Sequence, residues 1–231
     1  MQLKLHPAQV DILLNLIYQP EAGFSELNTT DLSSDHFSFH VKRLVDTGLV
    51  EKTVQGRYRL TREGKEFANR FDTTAGVLEK QDKIGVLICG VKKEGRLKKY
   101  LIQQRLKQPY YGFYGFITGK ARWGEAVMEV AARELKEETN LDGKLELVGI
   151  KHKMDYAKDD EFLEGKYFFV FRATELHGNL VESFEDGRNA WLTEEEIFKL
   201  EDLFDGVDES IKMINQAELV FSETKYKVKR Y

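Results

Sequence analysis

Glu134, Glu137 and Glu138 follow Val127, Val130 and Ala131 at spacings that, at about 100° per residue, place all six on one stripe of a helix. An apolar, core-facing stripe thus turns acidic. Glu129, Lys136 and Asn140 take the opposite side, where a merely solvated charged face would lie. Carboxylates gathered together and partly withdrawn from water repel one another and titrate higher unless a cation joins them. Hard oxygen ligands select magnesium, with manganese as the alternative, and magnesium completes its shell with water and phosphate oxygens. Such a set suits phosphoryl transfer, where catalysis is mostly positioning and neutralisation of charge on nonbridging oxygens, and where a metal also activates the attacking water. Arg133, four residues before Glu137, can hold that carboxylate by a charge-assisted bond. The plainer reading of the same residues is an acidic helix latched by surface salt bridges.

The fixed offsets extend further. Gly119, five residues, Glu125, seven residues, then Arg133-Glu134-Leu135-Lys136-Glu137-Glu138-Thr139-Asn140-Leu141 resembles the Nudix box, Gx5Ex7REUxEExGU with U aliphatic. The resemblance extends over roughly residues 82–220. It implies a hydrolase that cleaves the pyrophosphate of a nucleoside diphosphate derivative or a nucleoside triphosphate. It also implies metal ligation by Glu134, Glu137 and Glu138, one of them doubling as base, with Arg133 and Glu125 as orienting residues.

One position of the box departs from the pattern, and so does the loop before the helix. Asn140 replaces the usual glycine, a mild change because Asn tolerates the left-handed conformation expected just after a helix. Ile117-Thr118-Gly119 stands where many relatives have Pro-Gly-Gly, so only Gly119 keeps that loop's conformational freedom for contact with substrate. Nudix hydrolases often add a carboxylate from a loop preceding a tryptophan. Glu182, Glu185 and Asp186 precede Trp191, and Glu185 is the candidate, against a plain solvated charge.

Tyr110, Tyr111, Phe113, Tyr114 and Phe116 offer a base-stacking platform, with Tyr114 as the substrate-binding candidate, although alternating strand burial explains these rings equally well. Arg105, near a strand end, is either a phosphate contact or half of a surface ion pair. His152 and His177 have no partner pattern and receive no role.

The elements that must position these groups are strands at Ile84–Val91 and Tyr100–Gln104, a helix from about Glu125 to Thr139, and strands at Lys144–His152 and Lys166–Ala173. Helical segments near Glu194–Leu200 and Val207–Gln216 follow, and the tail through Phe221 and Tyr226 has no clear periodicity. Upstream, Pro7 suits the first turn of a helix whose stripe is Val10, Leu13, Leu14 and Ile17. A short helix follows Phe24. Ser34 or Asp35 can cap a third helix with inner face Phe37, Val41, Leu44 and Val45, closed by Gly48. Leu49–Val54 and Arg57–Leu60 read as two strands around Gln55-Gly56, and Thr61 caps a helix through Phe71.

Ser38-Phe39-His40-Val41-Lys42-Arg43-Leu44, Thr47-Gly48-Leu49-Val50 and Tyr58-Arg59-Leu60-Thr61-Arg62-Glu63-Gly64 resemble bacterial winged-helix regulators. The expected architecture is therefore α+β: a winged helix-turn-helix domain over 1–75, a polar linker at Asp72–Gly76, and a Nudix-type α/β/α sandwich over 80–231. Ser38, His40, Lys42 and Arg43 on the third helix, with Arg57 and Arg59 at the hairpin, are the candidate contacts to duplex DNA. From His36 to Arg70 there are 8 Lys and Arg against 4 Asp and Glu, a local basic excess. Winged helices also serve as dimerisation arms, so a homodimer is a further expectation.

A formal net charge of -4 over 231 residues excludes a generally basic, nucleic-acid-coating protein. Cys89 stands alone, so no intrachain disulfide forms and a reducing cytoplasm fits. The longest apolar run, near Gly85–Val91, is too short for a bilayer and no signal-peptide order is visible, so the expectation is a cytoplasmic protein without a membrane partner. The rival to an enzyme is a transcriptional regulator that uses the second domain as a nucleotide sensor.

Overall fold

The computed structural model describes residues 5–29, 31–72, 77–78 and 80–229. The chain folds as two compact units, Met1–Lys80 and Gln81–Tyr231. Of the expected linker, residues 73–76 lie outside the described residues.

The first unit runs α1 (Pro7–Tyr18), α2 (Phe24–Leu27), α3 (Ser34–Asp46), β1 (Val50–Lys52), β2 (Tyr58–Leu60), α4 (Arg62–Ala68), β3 (Phe71–Asp72) and β4 (Val77–Leu78). His6 caps α1: its ring accepts from the Ala8 N–H while the Gln9 side chain accepts from the His6 N–H. The stripe of α1 is rotated from the expected one. Ile12, Leu13 and Leu16 are fully enclosed, with Val10, Leu14 and Ile17 at the margin, because α3 and α4 both pack on this helix and widen its buried face. On α3, Phe37, Val41 and Leu44 are buried as expected, whereas Val45 is exposed and Ser33, one residue earlier than expected, is the cap. Gly48 closes α3 with φ +73°, where a side chain would be strained. The paired strands are shorter than expected, with Val50 opposite Leu60 and Lys52 opposite Tyr58. Thr61 caps α4 by accepting from Gly64, but that helix ends at Ala68, and Phe71 instead pairs with Leu78.

The second unit comprises β5 (Lys83–Glu94), β6 (Leu97–Arg105), β7 (Tyr114–Gly115), β8 (Ile117–Lys120), α5 (Val127–Thr139), β9 (Leu141–Tyr156), β10 (Phe162–Gly178), β11 (Ser183–Phe184), β12 (Gly187–Thr193), α6 (Glu194–Ile197), α7 (Val207–Ile214) and β13 (Val220–Lys227). Among the described residues these strands form one mixed sheet ordered β11-β12-β6-β5-β10-β9-β13, with β7 on β6 and β8 on β5. Strand period sends alternate residues of β5 to opposite layers. Val86 and Ile88 meet Val130, Ala131 and Leu135 of α5, while Leu87 and Cys89 meet the layer of Val207, Ile211 and Ile214 from α7. Each fully enclosed aliphatic side chain contributes about 1.5–3 kcal/mol, so α5 is clamped along its apolar half. The tail without clear periodicity is β13, paired in parallel with β9. The segments expected to be helical shorten to α6 and α7. No helix of the described residues is long and apolar enough to cross a membrane.

His152, assigned no role from sequence, ties strands together. Its ring stacks on Tyr167 at 4.0 Å, with Nε2 2.8 Å from Asp82 and Nδ1 2.7 Å from Glu223. Burial alone would lower its pKa, but the two carboxylates outweigh burial and hold it above 6.5. A raised folded-state value contributes stability that is full below 6.5 and is lost as pH rises through the folded value. Thermal unfolding across about pH 5.5 to 8.5 is therefore expected to show wild type losing stability on the alkaline side, and His152→Gln losing that slope. Equal slopes in the two proteins would remove the histidine from the account.

Candidate active site

Arg133 is the hub of the acidic segment. Its Nε donates to Glu125 Oε1 at 2.6 Å and its Nη2 to Glu125 Oε2 at 2.9 Å, a bidentate grip. Its Nη1 donates to Glu134 at 2.7 Å and to Glu137 at 3.0 Å. Turn geometry makes this possible: Arg133 and Glu137 are one helical turn apart, and Glu125 lies just before the first turn, its Oε2 accepting from the Arg122 N–H. The Arg133 side chain is 16% exposed and those of Glu125 and Glu134 are 14% and 13%, while Glu137 is 51% exposed. Hydrogen bonding to Arg133 holds Glu125 at about 2, so its contribution to stability is full above 4.5 and is lost as pH falls through about 2. Asn140 ends α5 at φ 57°, in the left-handed conformation that its departure from glycine required it to adopt.

Gly119 sits where β8 passes beneath α5. A Cβ there would lie 2.0 Å from both Cγ and Cδ of Glu134, and a Cβ on the facing Gly85 would lie 2.3 Å from the Gly119 carbonyl oxygen. Two glycines let backbone, carboxylate and strand approach this closely. Gly119→Ala is expected to push Glu134 aside, with about a 10²-fold loss of turnover, since misplacement by about 1 Å costs that much. Steady-state kinetics on the best substrate checks this, and an alanine variant with wild-type kcat/KM would show that the Glu134 position is not critical.

Glu138 lies deeper. Its Oε2 accepts from Gln103 at 2.9 Å, and Asn189 donates to the Glu138 and Val181 carbonyls, both at 2.8 Å, fixing the end of α5 against β12. Burial first, and then the nearby Glu134 and Asp186 charges, push Glu138 above the usual carboxylate range against the Gln103 hydrogen bond.

Glu134, Glu138, Gln103, Gly119 and Arg105 share the wall of a cavity of about 390 Å³. Glu137 is not on that wall; its carboxylate is held between Arg133 and Arg122. Among the described residues no three His, Cys, Asp or Glu side chains converge into a metal cage. Two carboxylates are nonetheless what magnesium commonly takes from protein, the rest of its shell being water and phosphate. A partly desolvated carboxylate pair with one oxygen of each engaged, by Arg133 and by Gln103, fits that ion.

The remaining sequence-predicted residues fall elsewhere. Arg105 lines the cavity, but its guanidinium donates to the Pro109 and Gln108 carbonyls at 2.7 and 3.1 Å, so it shapes the loop before Tyr110. Tyr114 packs in the core beside α7 instead of on the cavity wall, where the aromatic rings are Tyr110, Phe116, Phe168 and Phe204. Glu185 is exposed and off the wall; Asp186, bonded to Lys107, is the loop carboxylate whose charge reaches Glu138. Gln103 and Asn189 were missed, and only their cross-strand pairing reveals them.

A family model, the NUDIX domain, matches residues 79–214. The chain belongs to the Nudix family. Among solved structures it is similar to the mutator MutT protein from Bacillus halodurans, at 22% identity and TM-score 0.54 over 64% of this chain and 93% of that one. It is also similar to the NUDIX domain of Shewanella oneidensis NrtR complexed with ADP ribose, at 17% identity and TM-score 0.49 over 68% and 97%. The likeness to the Bacillus halodurans protein shows the fold.

In the first unit, Ser38, Lys42 and Arg43 are exposed on α3 and His40 is half-buried, its ring stacked on His6 at 4.2 Å. Burial first, then the His6, His36 and Arg43 charges, lower the His40 pKa, so this ring is neutral at pH 7. Arg57 is paired with Glu26 at 2.8 Å, and Arg59 with Glu51 at 2.6 Å and Glu21 at 3.5 Å. Both hairpin arginines thus have acidic partners.

Proposed function

We propose that this Nudix chain hydrolyses the pyrophosphate linkage of a nucleoside diphosphate derivative or a nucleoside triphosphate. The observation that carries the reading is Glu134 and Glu138 aimed into one cavity, the first locked by Arg133 and packed on Gly119, the second held by Gln103. Glu134 and Glu138 would hold magnesium or manganese, with Glu137 completing the acidic set from the helix edge. Bound there, the metal would neutralise phosphate oxygens and lower the pKa of the attacking water. The chain's own part is orientation: Arg133 fixes the carboxylates, Gln103 and Asn189 fix the end of α5, and the aromatic wall excludes water from the rest of the ligand. A hydrolysis screen over sugar nucleotides, dinucleotides and nucleoside triphosphates, with and without magnesium and with products identified, tests this. Metal-dependent release of a nucleoside monophosphate or of pyrophosphate supports the reading, and no turnover across the panel overturns it.

A second reading, a DNA-binding regulator that senses a nucleotide, has one specific support: Ser38, Lys42 and Arg43 stand exposed on α3, off its buried Phe37–Val41–Leu44 face. The first unit is then a winged helix, with α3 in the major groove. The paired arginines of the hairpin leave α3 to supply most of the attraction. A low-salt mobility-shift assay decides it: binding weakened by Lys42→Ala with Arg43→Ala supports DNA recognition, and absence of such binding makes the unit an arm for assembly.

A further inference from the structure

The cavity has a second charged region that the Nudix box does not use. Strand register places Lys83, Lys166 and Lys153 directly opposite one another on β5, β10 and β9. The next row on the same face reads Lys120, Gly85, Phe168 and Lys151 across β8, β5, β10 and β9. Like charges directly opposite on adjacent strands are destabilising, so three lysines in one line need a compensating reason.

These lysines are built in. Lys151 and Lys153 are 2% and 7% exposed, yet both reach the cavity wall with Lys166 and Lys83. Aromatic faces hold the ammonium groups: Tyr110 lies 5.3 Å from Lys166 and 6.0 Å from Lys153, and Tyr226 lies 5.1 Å from Lys153 and 5.7 Å from Lys151. Among the described residues the three lysines of the row have two carboxylates within ion-pair distance, Asp155 and Glu164, with Asp205 on the same wall acting on Lys153 at longer range; the Tyr110 hydroxyl takes up part of Asp155 by donating to it at 3.0 Å. Burial lowers the pKa of Lys151 and of Lys166, although Lys151 meets Glu209 at 3.2 Å and donates to the Gly206 carbonyl and Lys166 meets Glu164, so these ammonium groups are held desolvated on the cavity wall. A buried ion-pair network that served stability alone would gain from apolar replacement, so its place on a cavity wall points to a ligand.

We propose that the Lys83–Lys166–Lys153 row, with Lys151, seats a second oxyanion of the substrate, so that the preferred substrate carries a phosphate monoester or carboxylate remote from the cleaved pyrophosphate. The inference rests on the hydrolase reading for the word substrate, but the anion seat itself is a binding property. From β8, beside Glu134, to Lys166 on β10 and Lys153 on β9, the centre and far end of the row, is two to three strand spacings, roughly 10–14 Å. Two phosphoryl groups joined by one oxygen cannot span both ends of the cavity, so the anion on the lysines belongs to another part of the molecule. Phe168 lies between Lys120 and Lys151 in the row and offers an apolar surface to the segment connecting the two ends.

Calorimetric titration of the full-length, metal-free protein tests the seat with matched probes: nicotinamide adenine dinucleotide against its 2′-phosphate, dephospho-coenzyme A against coenzyme A, and UDP-glucose against UDP-glucuronate. The first two pairs isolate a phosphate monoester and the third a carboxylate. In at least one pair the more anionic member is expected to bind about tenfold tighter, the scale of a charge-assisted hydrogen bond. The difference should shrink below about twofold in Lys153→Gln and in Lys166→Gln with Glu164→Gln, the latter removing one charge of each sign and so guarding against misfolding. No preference in any pair, including no binding at all, overturns the proposal, as does a preference that survives both variants. Separately, hydrolysis of the less anionic probes with magnesium reports on the hydrolase reading. Preference without turnover would keep the seat and sink the enzyme, and turnover without preference the reverse.

Discussion

Replacing Glu138 by Gln is expected to lower kcat/KM on the best pyrophosphate substrate by about 10²–10³-fold, and Glu134→Gln by a similar factor, because each removes one full charge from a site built for a cation while keeping size and shape. The two variants differ in how the protein is left. At position 138 a neutral amide replaces a desolvated carboxylate that Gln103 already hydrogen-bonds, so the metal-free variant should unfold at an equal or higher temperature than wild type. At position 134 the change strips Arg133 of one of its anionic partners, and a modest loss of stability is expected. Activity and stability thus move independently. Near wild-type turnover of both variants with magnesium would sink the carboxylate pair as the functional centre.

How much of this could be read from the sequence depended on period. The helix bearing Glu134 and Glu138 was legible because apolar and acidic residues share one 3.6-residue stripe; Val130 and Ala131 are buried as expected, Val127 is half-buried, and Leu135, outside the expected stripe, is buried as well. Glu137 shows the limit of that reasoning: it sits at the edge of the stripe, and the arginines beside it take it out of the cavity wall. The β-strands of the core were legible as apolar runs, but β13 was not, since its outward-facing residues on an edge strand leave only alternate positions half-buried. The stripe of α1 was misplaced because two neighbours pack on it, which no single-helix pattern records. Arg105 was read from its charge and its place near a strand end and Tyr114 from its ring; the structure gives the Arg105 guanidinium two carbonyl partners in the next loop and packs Tyr114 against the α7 layer, contacts that no local pattern records. The lysine row had no sequence signal whatever. Lys83, Lys153 and Lys166 are far apart in the chain, and only the register of three strands brings them into line.

Arg133→Lys is expected to be nearly as damaging as loss of a cavity carboxylate, at about 10²-fold in kcat/KM, although the charge is conserved. A guanidinium presents its donors as a planar fork, and here that fork grips both oxygens of Glu125 while its other arm reaches Glu134 and Glu137. An ammonium is a point charge on a flexible stem and cannot serve three carboxylates in fixed directions at once. Glu134 would then lose its tether and sample positions away from Gly119. The pH behaviour gives a second readout that a merely weakened fold would not. Glu125, held at about 2 by Arg133, should titrate nearer 4.5 in the variant, so the fall in stability between pH 4.5 and about 2 becomes shallower than in the parent. Glu125→Gln should abolish that difference between the arginine and lysine proteins, because the two changes act on one contact and their effects are not additive. Should Arg133→Lys keep wild-type kcat/KM, or should its acid limb coincide with that of the parent, the arginine would be an ordinary surface partner and the geometry of the acidic pair would have to be set by Gly119 and Gln103 alone.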